Sequence, residues 1–314
     1  MDRYCFGVDL GGTTVKMGVF KPDGELVDKW EIPTVKTNGG SQILPDIAKS
    51  IIDKLEEKNI SKDAVIGVGI GVPGPVDKDG FVNKAVNLGW EGKVDLEGDL
   101  HELTGFHVRG GNDANVAALG EAWKGGAEGY SDVVVVTLGT GIGGGIIVDG
   151  KMLVGSTGAG GEIGHIHIED KETDVCGCGN KGCFEQYGSA TGIVRLASRR
   201  LAADDAASVL RTIEVSAKSI FDAYKDGDKV AAEIVEEYGC YLGKGLAAVA
   251  AVTNPQIFVI GGGVSKAGDV LLPLIQKHYV NYVFHASSGA KFALAELGND
   301  AGIYGAAKLV LDEK

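Results

Sequence analysis

Two segments far apart in the chain share one pattern of short apolar runs and glycine-containing turns. In the first, the pieces are residues 5–8, the glycine-rich 9–14, 15–20, a Pro-Asp-Gly turn at 22–24, and 25–32. In the second they are 133–136, the glycine-rich 137–143, 144–148, an Asp-Gly turn at 149–150, and 151–154. Such turns between β-rich runs are typical of hairpins. Each segment is predicted to be an antiparallel meander whose first turn is rich in glycine, and the second repeats the first.

Helical and strand patterns alternate in the rest of the chain. Apolar residues recur four positions apart at Ile43, Ile47, Ile51 and Leu55, which predicts a helix. Strands are predicted at 65–70, 106–108, 256–260 and 292–297, and helices from the cap Asp113, from about Ser189, from Ser265 and from Ala301. This alternation indicates an α/β fold, and two meander-led halves imply two lobes with a cleft between them.

Composition narrows the class of protein. The 30 Lys and Arg residues against 43 Asp and Glu leave a formal charge of −13, which disfavours nucleic acid or an anionic membrane as the main partner. Glycine contributes 50 of 314 residues, more than twice the usual roughly 7%, so particular turns are expected to need it. The amino terminus lacks a signal-peptide pattern, and glycines interrupt the longest uncharged stretch, 133–148. We predict a cytoplasmic protein without a membrane span.

Both glycine-rich first turns are candidate phosphate-binding loops. In Asp9–Thr14 and Leu138–Gly143, backbone N–H groups can point into one concavity that no Cβ blocks. A tight hairpin without a ligand is the alternative for either loop alone, but two loops in the same context favour phosphate binding. Thr13 and Thr140 can add hydroxyl donors, and Asp9 is suited to hold Mg²⁺ through water.

Two of the glycine patterns match a motif whose function they do not share. Gly139–Gly144 and Gly69–Gly74 both fit G-x-G-x-x-G, but a dinucleotide fingerprint must lead into a helix. The first match leads into a predicted strand, and the second contains Pro73. The sequence also has no G-x-x-x-x-G-K-[ST], which excludes a P-loop NTPase.

A cluster of metal-binding residue types lies between 162 and 185. His165, Cys176, Cys178 and Cys183 supply an imidazole and three thiolates, which suit tetrahedral Zn²⁺. Reduced buried cysteines or a redox pair are the alternatives, and His167 is a competing imidazole. Cys5 and Cys240 lie in apolar contexts and are predicted to be core residues. Three cysteines within eight residues do not resemble a secreted disulfide framework.

Three carboxylates are candidates for binding a sugar or for catalysing a reaction of its hydroxyl group. Glu162 and Glu185 bracket the cysteine cluster, and a loop held by a metal can present both as acceptors for hydroxyl groups. Asp113 follows Asn112 between a predicted strand and a predicted helix, where a simple N-cap is the alternative. A kinase needs a carboxylate that takes the proton of the attacking hydroxyl. Asp113 is therefore the candidate base, with Asn112 orienting the acceptor.

These motifs resemble one known family along essentially the whole chain. They are DLGGTT from Asp9, GVPGPVD from Gly71, Asn112-Asp113, LGTGIGGG from Leu138, GEIGH from Gly161, CGCGNKGCFE from Cys176 and GGG from Gly261. Together they resemble the ROK family (repressor, open reading frame, kinase). Within it the chain is most similar to the glucokinases of Gram-positive bacteria, a similarity that KAVNLGW from Lys84 strengthens. The cysteine cluster with its glutamates is highly specific, whereas the shorter glycine loops are shared with the wider actin and hexokinase superfamily.

The resemblance implies a two-lobed actin/hexokinase-like (ribonuclease H-like) ATPase fold with duplicated halves. The small lobe would comprise residues 1–112 plus 301–314, and the large lobe, 113–300, would carry the zinc cluster and a dimerisation surface. Homodimers are common in the family. Family repressors carry an amino-terminal helix-turn-helix, which is expected to be missing here because the first predicted strand begins almost at once.

The resemblance also implies roles for individual residues. Asp113 would be the general base, and the sugar contacts would come from Asn112, Asp113, Glu162, His165 and Glu185. His165 would bind zinc through one ring nitrogen and donate to the sugar through the other. The ATP phosphates would contact Asp9, Gly11, Gly12, Thr13, Gly139, Thr140 and Gly141, and the adenosine side would contact Gly262 and Gly263.

The implied activity is the ATP- and Mg²⁺-dependent phosphorylation of the 6-hydroxyl of glucose. Val86-Asn87-Leu88 stands where fructokinase relatives usually have Thr-Pro-Lys, which favours glucose. Two alternatives stay open: a kinase for an N-acetylhexosamine, such as N-acetylmannosamine or N-acetylglucosamine, and a catalytically silent sugar-binding regulator. The sequence also leaves the phosphoryl donor open between ATP, another nucleoside triphosphate and polyphosphate.

Overall fold

The computed structural model describes residues 2–312, and these form two compact units. Residues 2–129, 151–160 and 296–312 belong to the first unit, and residues 130–150 and 161–295 belong to the second. The first unit therefore includes the helix that begins at Asp113, which the predicted lobe bounds assign to the large lobe. Positions 1, 313 and 314 of the predicted small lobe lie outside the described residues.

Strands and helices alternate as the sequence pattern indicates. The strands are β1 (Tyr4–Leu10), β2 (Thr14–Phe20), β3 (Leu26–Pro33), β4 (Val65–Val72), β5 (Phe81–Val82), β6 (Val94–Asp95), β7 (Val108–Asn112), β8 (Val133–Leu138), β9 (Ile142–Val148), β10 (Lys151–Met152), β11 (Ile257–Gly261) and β12 (Lys291–Leu294). The helices are α1 (Thr37–Gly40), α2 (Ile43–Lys58), α3 (Leu96–Thr104), α4 (Asp113–Lys124), α5 (Glu185–Gly188), α6 (Ala190–Ala203), α7 (Ala217–Lys225), α8 (Lys229–Thr253), α9 (Leu271–Tyr279) and α10 (Ala301–Leu311).

The sheet of the first unit has the strand order β3-β2-β1-β4-β7. β1, β2 and β3 form the predicted antiparallel meander, and β4 and β7 are parallel to β1. Helix α10 packs so closely on β1 and β4 that only glycine fits beneath it. A Cβ on Gly7 would lie 1.9 Å from the carbonyl oxygen of Ile303, and one on Gly69 would lie 1.7 Å from that of Ala306. Part of the high glycine content therefore serves helix-on-sheet packing.

The sheet of the second unit repeats this topology. It contains β9, β8, β11 and β12 in that order, which corresponds to β2, β1, β4 and β7 in the first unit. β9 is antiparallel to β8, and β8, β11 and β12 are parallel. Long helix α8 covers this sheet with apolar residues such as Leu242 and Leu246, both fully buried. The duplicated α/β fold predicted from the sequence is confirmed.

The structure corrects two details of the sequence prediction. Instead of a helix from Ser265, a 3₁₀ segment spans Gly263–Val270, and α9 begins at Leu271. Gly268 has a φ of 74°, which no α-helix accommodates, so the α-helix starts only after it. Cys5 is buried as predicted, whereas Cys240 is only half-buried and its Sγ lies 3.0 Å from the hydroxyl of Tyr282. No helix among residues 2–312 combines the length and the apolar character that a bilayer crossing requires.

Candidate active site

The Gly11–Thr13 turn of the first unit is tied to the chain that follows β3. The backbone N–H of Gly11 donates to the carbonyl oxygen of Thr14 at 3.1 Å. Thr34 donates twice to the turn: its N–H to the carbonyl oxygen of Thr13 at 2.9 Å, and its hydroxyl to that of Gly11 at 2.7 Å. A Cβ on Gly11 would lie 2.8 Å from the Thr14 carbonyl oxygen. These hydrogen bonds fasten the turn to the chain that follows β3.

Asp9 lies beside this turn, against the first residues of α10. A Cβ on Gly302 would lie 2.5 Å from the carboxyl carbon of Asp9, so the glycine makes room for the acid. Burial raises the pKa of the Asp9 carboxyl, and the charge of Lys16 opposes that rise. A partly buried carboxylate next to a turn that is predicted to bind phosphate suits a water-mediated Mg²⁺ site, because Mg²⁺ keeps several waters and binds few carboxylates.

Asn112, and not Asp113, is the N-cap of α4. The Oδ1 atom of Asn112 accepts from the N–H groups of Ala114 at 3.0 Å and Asn115 at 3.2 Å, and its Nδ2 donates to Gly74. Asp113 is the first helical residue, and its Oδ1 accepts from the N–H of Ala114 at 2.8 Å. The sequence prediction of Asp113 as the cap was wrong by one residue, because both residue types cap helices and only the backbone shows which one has extended φ and ψ.

Asp113 shares a cavity of about 400 Å³ with Asp9 and the Gly11–Thr13 turn. The cavity is lined by Asp9, Leu10, Gly11, Gly12, Thr13, Lys36, Pro73, Asn87 and Asp113, all in the first unit. The structure thus brings the predicted base and the predicted phosphate loop together. It adds Lys36 and Asn87, which the sequence analysis did not select as site residues. Asn87 lies in the KAVNLGW motif, whereas nothing in the pattern around Lys36 distinguishes it from a surface lysine.

The second glycine loop lies at the beginning of α6. The carbonyl oxygen of Gly139 accepts from the N–H of Ala190 at 2.8 Å, and that of Thr140 accepts from the hydroxyl of Thr191. Gly262, with a φ of 83°, lies so close to this loop that a Cβ on it would be 2.5 Å from the carbonyl oxygen of Leu138. The two segments predicted to contact the nucleotide are therefore neighbours in the second unit.

A small cavity of about 180 Å³ adjoins Gly263. Its lining combines apolar residues with three lysines and one aspartate: Ala217, Lys218, Phe221, Asp222, Lys225, Gly263, Val264, Lys266 and Ala267. An apolar slot between α7 and the Gly263–Val270 segment, with lysines at its rim, is suited to a flat ring attached to phosphate groups.

His165, Cys176, Cys178 and Cys183 converge on one point in the second unit. Their candidate ligand atoms all lie within 4.8 Å of one another. Sγ of Cys178 is 3.6 Å from Sγ of Cys183, and Sγ of Cys176 is 3.8 Å from Nδ1 of His165. Zinc–sulfur bonds of about 2.3 Å in a tetrahedron place neighbouring sulfurs about 3.8 Å apart. The four residues therefore fit a tetrahedral zinc ion.

His167 does not share in this cluster. Its Nδ1 lies 2.9 Å from the carbonyl oxygen of Lys181, and its Nε2 lies 2.8 Å from Oδ1 of Asp170. The Asp170 carboxylate, together with the Lys181 carbonyl, raises the pKa of His167. With both ring nitrogens engaged, His167 has no lone pair directed at the thiols, so His165 is the imidazole that the structure brings to the cysteines.

Glu185 connects the cysteine cluster to the second glycine loop. Its Oε1 accepts a hydrogen bond from Sγ of Cys176 at 2.9 Å. Its Oε2 lies against Gly141, where an added Cβ would be only 2.5 Å from this oxygen. A cavity of about 330 Å³ opens here, lined by Thr140, Gly141, Asp174, Val175, Cys176, Gly177, Glu185, Gln186, Thr191 and Arg195. Glu162 is exposed just before the Ile163–His165 turn, and within residues 2–312 its carboxylate has neither a hydrogen bond nor an ion pair.

A buried carboxylate that the sequence analysis missed holds the loop before Cys176. The side chain of Glu172 is fully buried and accepts from Arg195, Arg199 and the hydroxyl of Tyr187. It also accepts from two backbone N–H groups, those of Thr173 and Asp174. Burial alone would raise the pKa of Glu172, but these donors outweigh it and lower the pKa to about 2. The network fastens the cysteine loop to α6.

Replacing Glu172 by Gln is expected to lower the free energy of unfolding by about 3–5 kcal/mol at pH 7, because two arginines lose their buried partner. The folded-state pKa of about 2 lies below the unfolded value of 4.5, so the stabilisation is present above pH 4.5 and is lost as the pH falls towards 2. In urea titrations, the difference in the free energy of unfolding between wild type and Glu172→Gln should therefore shrink as the pH falls below 4.5. The control Asp174→Asn, at an exposed ion pair with Arg195, should cost under about 1 kcal/mol. An unchanged difference at pH 3 would contradict this assignment.

The repeated strand order with a glycine-rich first turn defines the class of duplicated, actin- and hexokinase-like α/β proteins. The family model named ROK family matches residues 5–313. The chain belongs to the ROK family.

Curated relatives and solved structures match this chain along nearly its full length. The glucokinase of Halalkalibacterium halodurans is 43% identical, with 100% of this chain and 96% of the relative covered. The N-acetylgalactosamine kinase of Shewanella sp. (strain ANA-3) is 32% identical, with 97% and 96% covered. The structure of a ROK family glucokinase from Streptomyces griseus in complex with glucose and AMPPNP is 35% identical, with a TM-score of 0.73 and 98% of each chain covered. The chain is thus similar to sugar kinases throughout.

Proposed function

We propose that this chain is an ATP-dependent glucokinase that phosphorylates the 6-hydroxyl of glucose. The observation that carries the proposal is the 400 Å³ cavity in which Asp113, Asp9 and the Gly11–Thr13 turn meet. A carboxylate beside a phosphate-binding turn is what phosphoryl transfer to an alcohol requires, since the protein contributes mainly positioning and charge. The 43% identity to a glucokinase over the whole chain supports glucose as the acceptor.

In the proposed reaction the sugar hydroxyl attacks the γ-phosphorus of ATP. Asp113 takes the proton of that hydroxyl as the bond from the γ-phosphorus to the bridging oxygen of ADP breaks. The backbone of Gly11, Gly12 and Thr13 holds phosphate oxygens, and Asp9 is the residue that would hold Mg²⁺. When bound, Mg²⁺ supplies positive charge to the phosphates. The loop Gly139–Gly141 also binds phosphates, and Gly262 and Gly263 bind the adenosine side.

The sugar contacts belong to the same proposal. Asn112, Asp113, Glu162, His165 and Glu185 bind the hydroxyl groups of glucose. Nδ1 of His165 faces Cys176, which leaves Nε2 as the nitrogen that donates to the sugar. The zinc held by His165, Cys176, Cys178 and Cys183 is structural, because four protein ligands leave no open position for catalysis. We also propose a homodimer and a cytoplasmic location.

A panel of sugars with ATP in an ADP-release assay tests the proposal. We expect kcat/KM for glucose to exceed that for N-acetylglucosamine, N-acetylmannosamine and N-acetylgalactosamine by at least about tenfold, since a pocket shaped for a hydroxyl resists an added acetyl group. The 32% identical N-acetylgalactosamine kinase makes an N-acetylhexosamine the second candidate substrate. If kcat/KM is higher for an N-acetylated sugar than for glucose, the N-acetylated sugar is the acceptor substrate and the assignment of glucose is wrong. Sugar binding without any ADP release would favour a silent regulator, and turnover with polyphosphate alone would replace ATP as the donor.

A further inference from the structure

Lys36 is the one cationic side chain among the residues that line the 400 Å³ cavity. The other charged residues in its lining are Asp9 and Asp113, both acids. Within residues 2–312 the Lys36 ammonium forms neither a hydrogen bond nor an ion pair, in contrast to Lys16, which donates to the carbonyl oxygen of Asn299. A lysine without a partner beside a phosphate-binding turn has a charge available for a ligand.

The backbone at Lys36 is held against the phosphate loop. Thr34, two residues earlier, donates to the carbonyl oxygens of Gly11 and Thr13. The carbonyl oxygen of Lys36 accepts from the N–H of Gly40 at 3.2 Å, and a Cβ on Gly89 would lie 3.4 Å from that oxygen. The side chain therefore starts from a fixed point at the edge of the cavity.

The charge balance of the cavity favours a cation in addition to the Mg²⁺ that Asp9 would hold, because ATP with one Mg²⁺ still carries a net negative charge. A triphosphate that enters a space already lined by two acids is repelled, and burial of Asp9 adds to the cost of leaving charges unbalanced there. During transfer, charge is spread over the three equatorial oxygens of the phosphoryl group, where a lysine ammonium can donate to them. Lysine suits this role because it is a compact charge on a flexible stem and can follow the moving group.

We propose that Lys36 is a catalytic residue that donates to the γ-phosphoryl oxygens of ATP during transfer, which rests on the proposed function. The oxygen of the acceptor hydroxyl forms the new bond to phosphorus, and the bond to the bridging oxygen breaks with its electron pair leaving on ADP. The proton of the hydroxyl goes to Asp113. Lys36 stays protonated throughout, so it neutralises charge without transferring a proton.

The test compares Lys36→Met, Lys36→Arg and the control Lys62→Met, an exposed lysine of the same unit outside the cavity. We expect Lys36→Met to lower kcat by about 100-fold while KM for glucose stays within about threefold, because the contact is to the γ-phosphoryl group, not to the sugar, and is stronger in the transition state than in the ground state. Lys36→Arg should recover kcat to within about tenfold of wild type, and Lys62→Met should match wild type. Melting temperatures verify that each variant folds.

Measurements of nucleotide binding test the role of Lys36 independently of which sugar the protein phosphorylates. In calorimetric titrations of the whole protein with Mg²⁺, Lys36→Met should weaken AMPPNP by about tenfold but ADP by less than about twofold, since only AMPPNP has a γ-phosphoryl group. If wild type phosphorylates no sugar, the proposed function fails, and this titration still tests Lys36. Equal weakening of ADP and AMPPNP, or a Lys36→Met kcat within about threefold of wild type, would overturn the assignment, as would a rise in KM for glucose at unchanged kcat.

Discussion

Replacing Asp113 by Asn is expected to lower kcat for glucose phosphorylation by about 1000-fold or more, with the melting temperature almost unchanged. The amide keeps an oxygen that can accept from the N–H of Ala114, as Oδ1 of Asp113 does at 2.8 Å, so the first turn of α4 should remain intact. What is lost is the carboxylate that takes the proton of the attacking hydroxyl, a contribution of about 10²–10⁴-fold in rate. Initial rates of ADP release at saturating ATP and glucose provide the measurement.

A matched control distinguishes the loss of the catalytic base from the loss of a negative charge at a helix N-terminus. Asp46 lies in the first turn of α2 in the same unit and outside the 400 Å³ cavity. Asp46→Asn removes the same favourable interaction with a helix N-terminus, worth about 0.3–1 kcal/mol, and should leave kcat unchanged. Asp113→Asn turnover within about tenfold of wild type would remove Asp113 from the mechanism and favour the reading of this pair as a helix start only.

Replacing Cys178 by Ser is expected to reduce zinc affinity by at least about 100-fold and the melting temperature by roughly 10 °C or more. The thiolate is one of four ligands, so its loss leaves three residues to hold the ion. Because Glu185 accepts from Sγ of Cys176 and His165 is itself a ligand, kcat/KM for glucose should fall by about 100-fold as well. Metal analysis of the purified protein, thermal melting and the ADP-release assay measure the three effects.

Cys240→Ser is the matched control for the metal site. Cys240 is a half-buried thiol of α8 that lies outside the four-residue cluster. This variant should keep about one zinc per chain and the activity of wild type. Treatment of wild type with a strong chelator should reproduce the Cys178→Ser phenotype, and zinc should reverse it. A Cys178→Ser protein that retains zinc, melting temperature and sugar affinity would show that the four residues have another role.

Local sequence features predicted most of the secondary structure and topology. Ile43, Ile47, Ile51 and Leu55 all fall on the buried face of α2, because a four-residue spacing brings apolar side chains to one side of a helix. The Asp-Gly and Pro-Asp-Gly sequences indicated both meanders, because Gly and Asp tolerate the positive φ angles of tight turns and Pro fixes the φ angle at a turn. The same local rules erred where two neighbours were equally suitable, as with Asn112 and Asp113 at the start of α4.

Residues that act through contacts across the fold escaped the sequence analysis. Lys36 and Asn87 reach the cavity of Asp113 because the chain after β3 and the segment before Trp90 both pack on the Gly11–Thr13 turn. Glu172 resembled an ordinary surface glutamate until Arg195, Arg199 and Tyr187 were seen to enclose it. No periodicity marks any of these residues and only Asn87 lies in a motif, since their surroundings come from distant parts of the chain.

The sequence by itself determined the duplicated α/β halves, the two glycine loops and the metal-binding residue types, because periodicity, turn chemistry and ligand chemistry are properties of neighbouring residues. Tertiary structure alone decided which imidazole joins the thiols, since His167 is engaged by Asp170 and Lys181. It also decided that an acid, a glycine turn and Lys36 share one cavity. Those outcomes depend on where distant segments meet, and burial and hydrogen bonding across the whole fold set that arrangement.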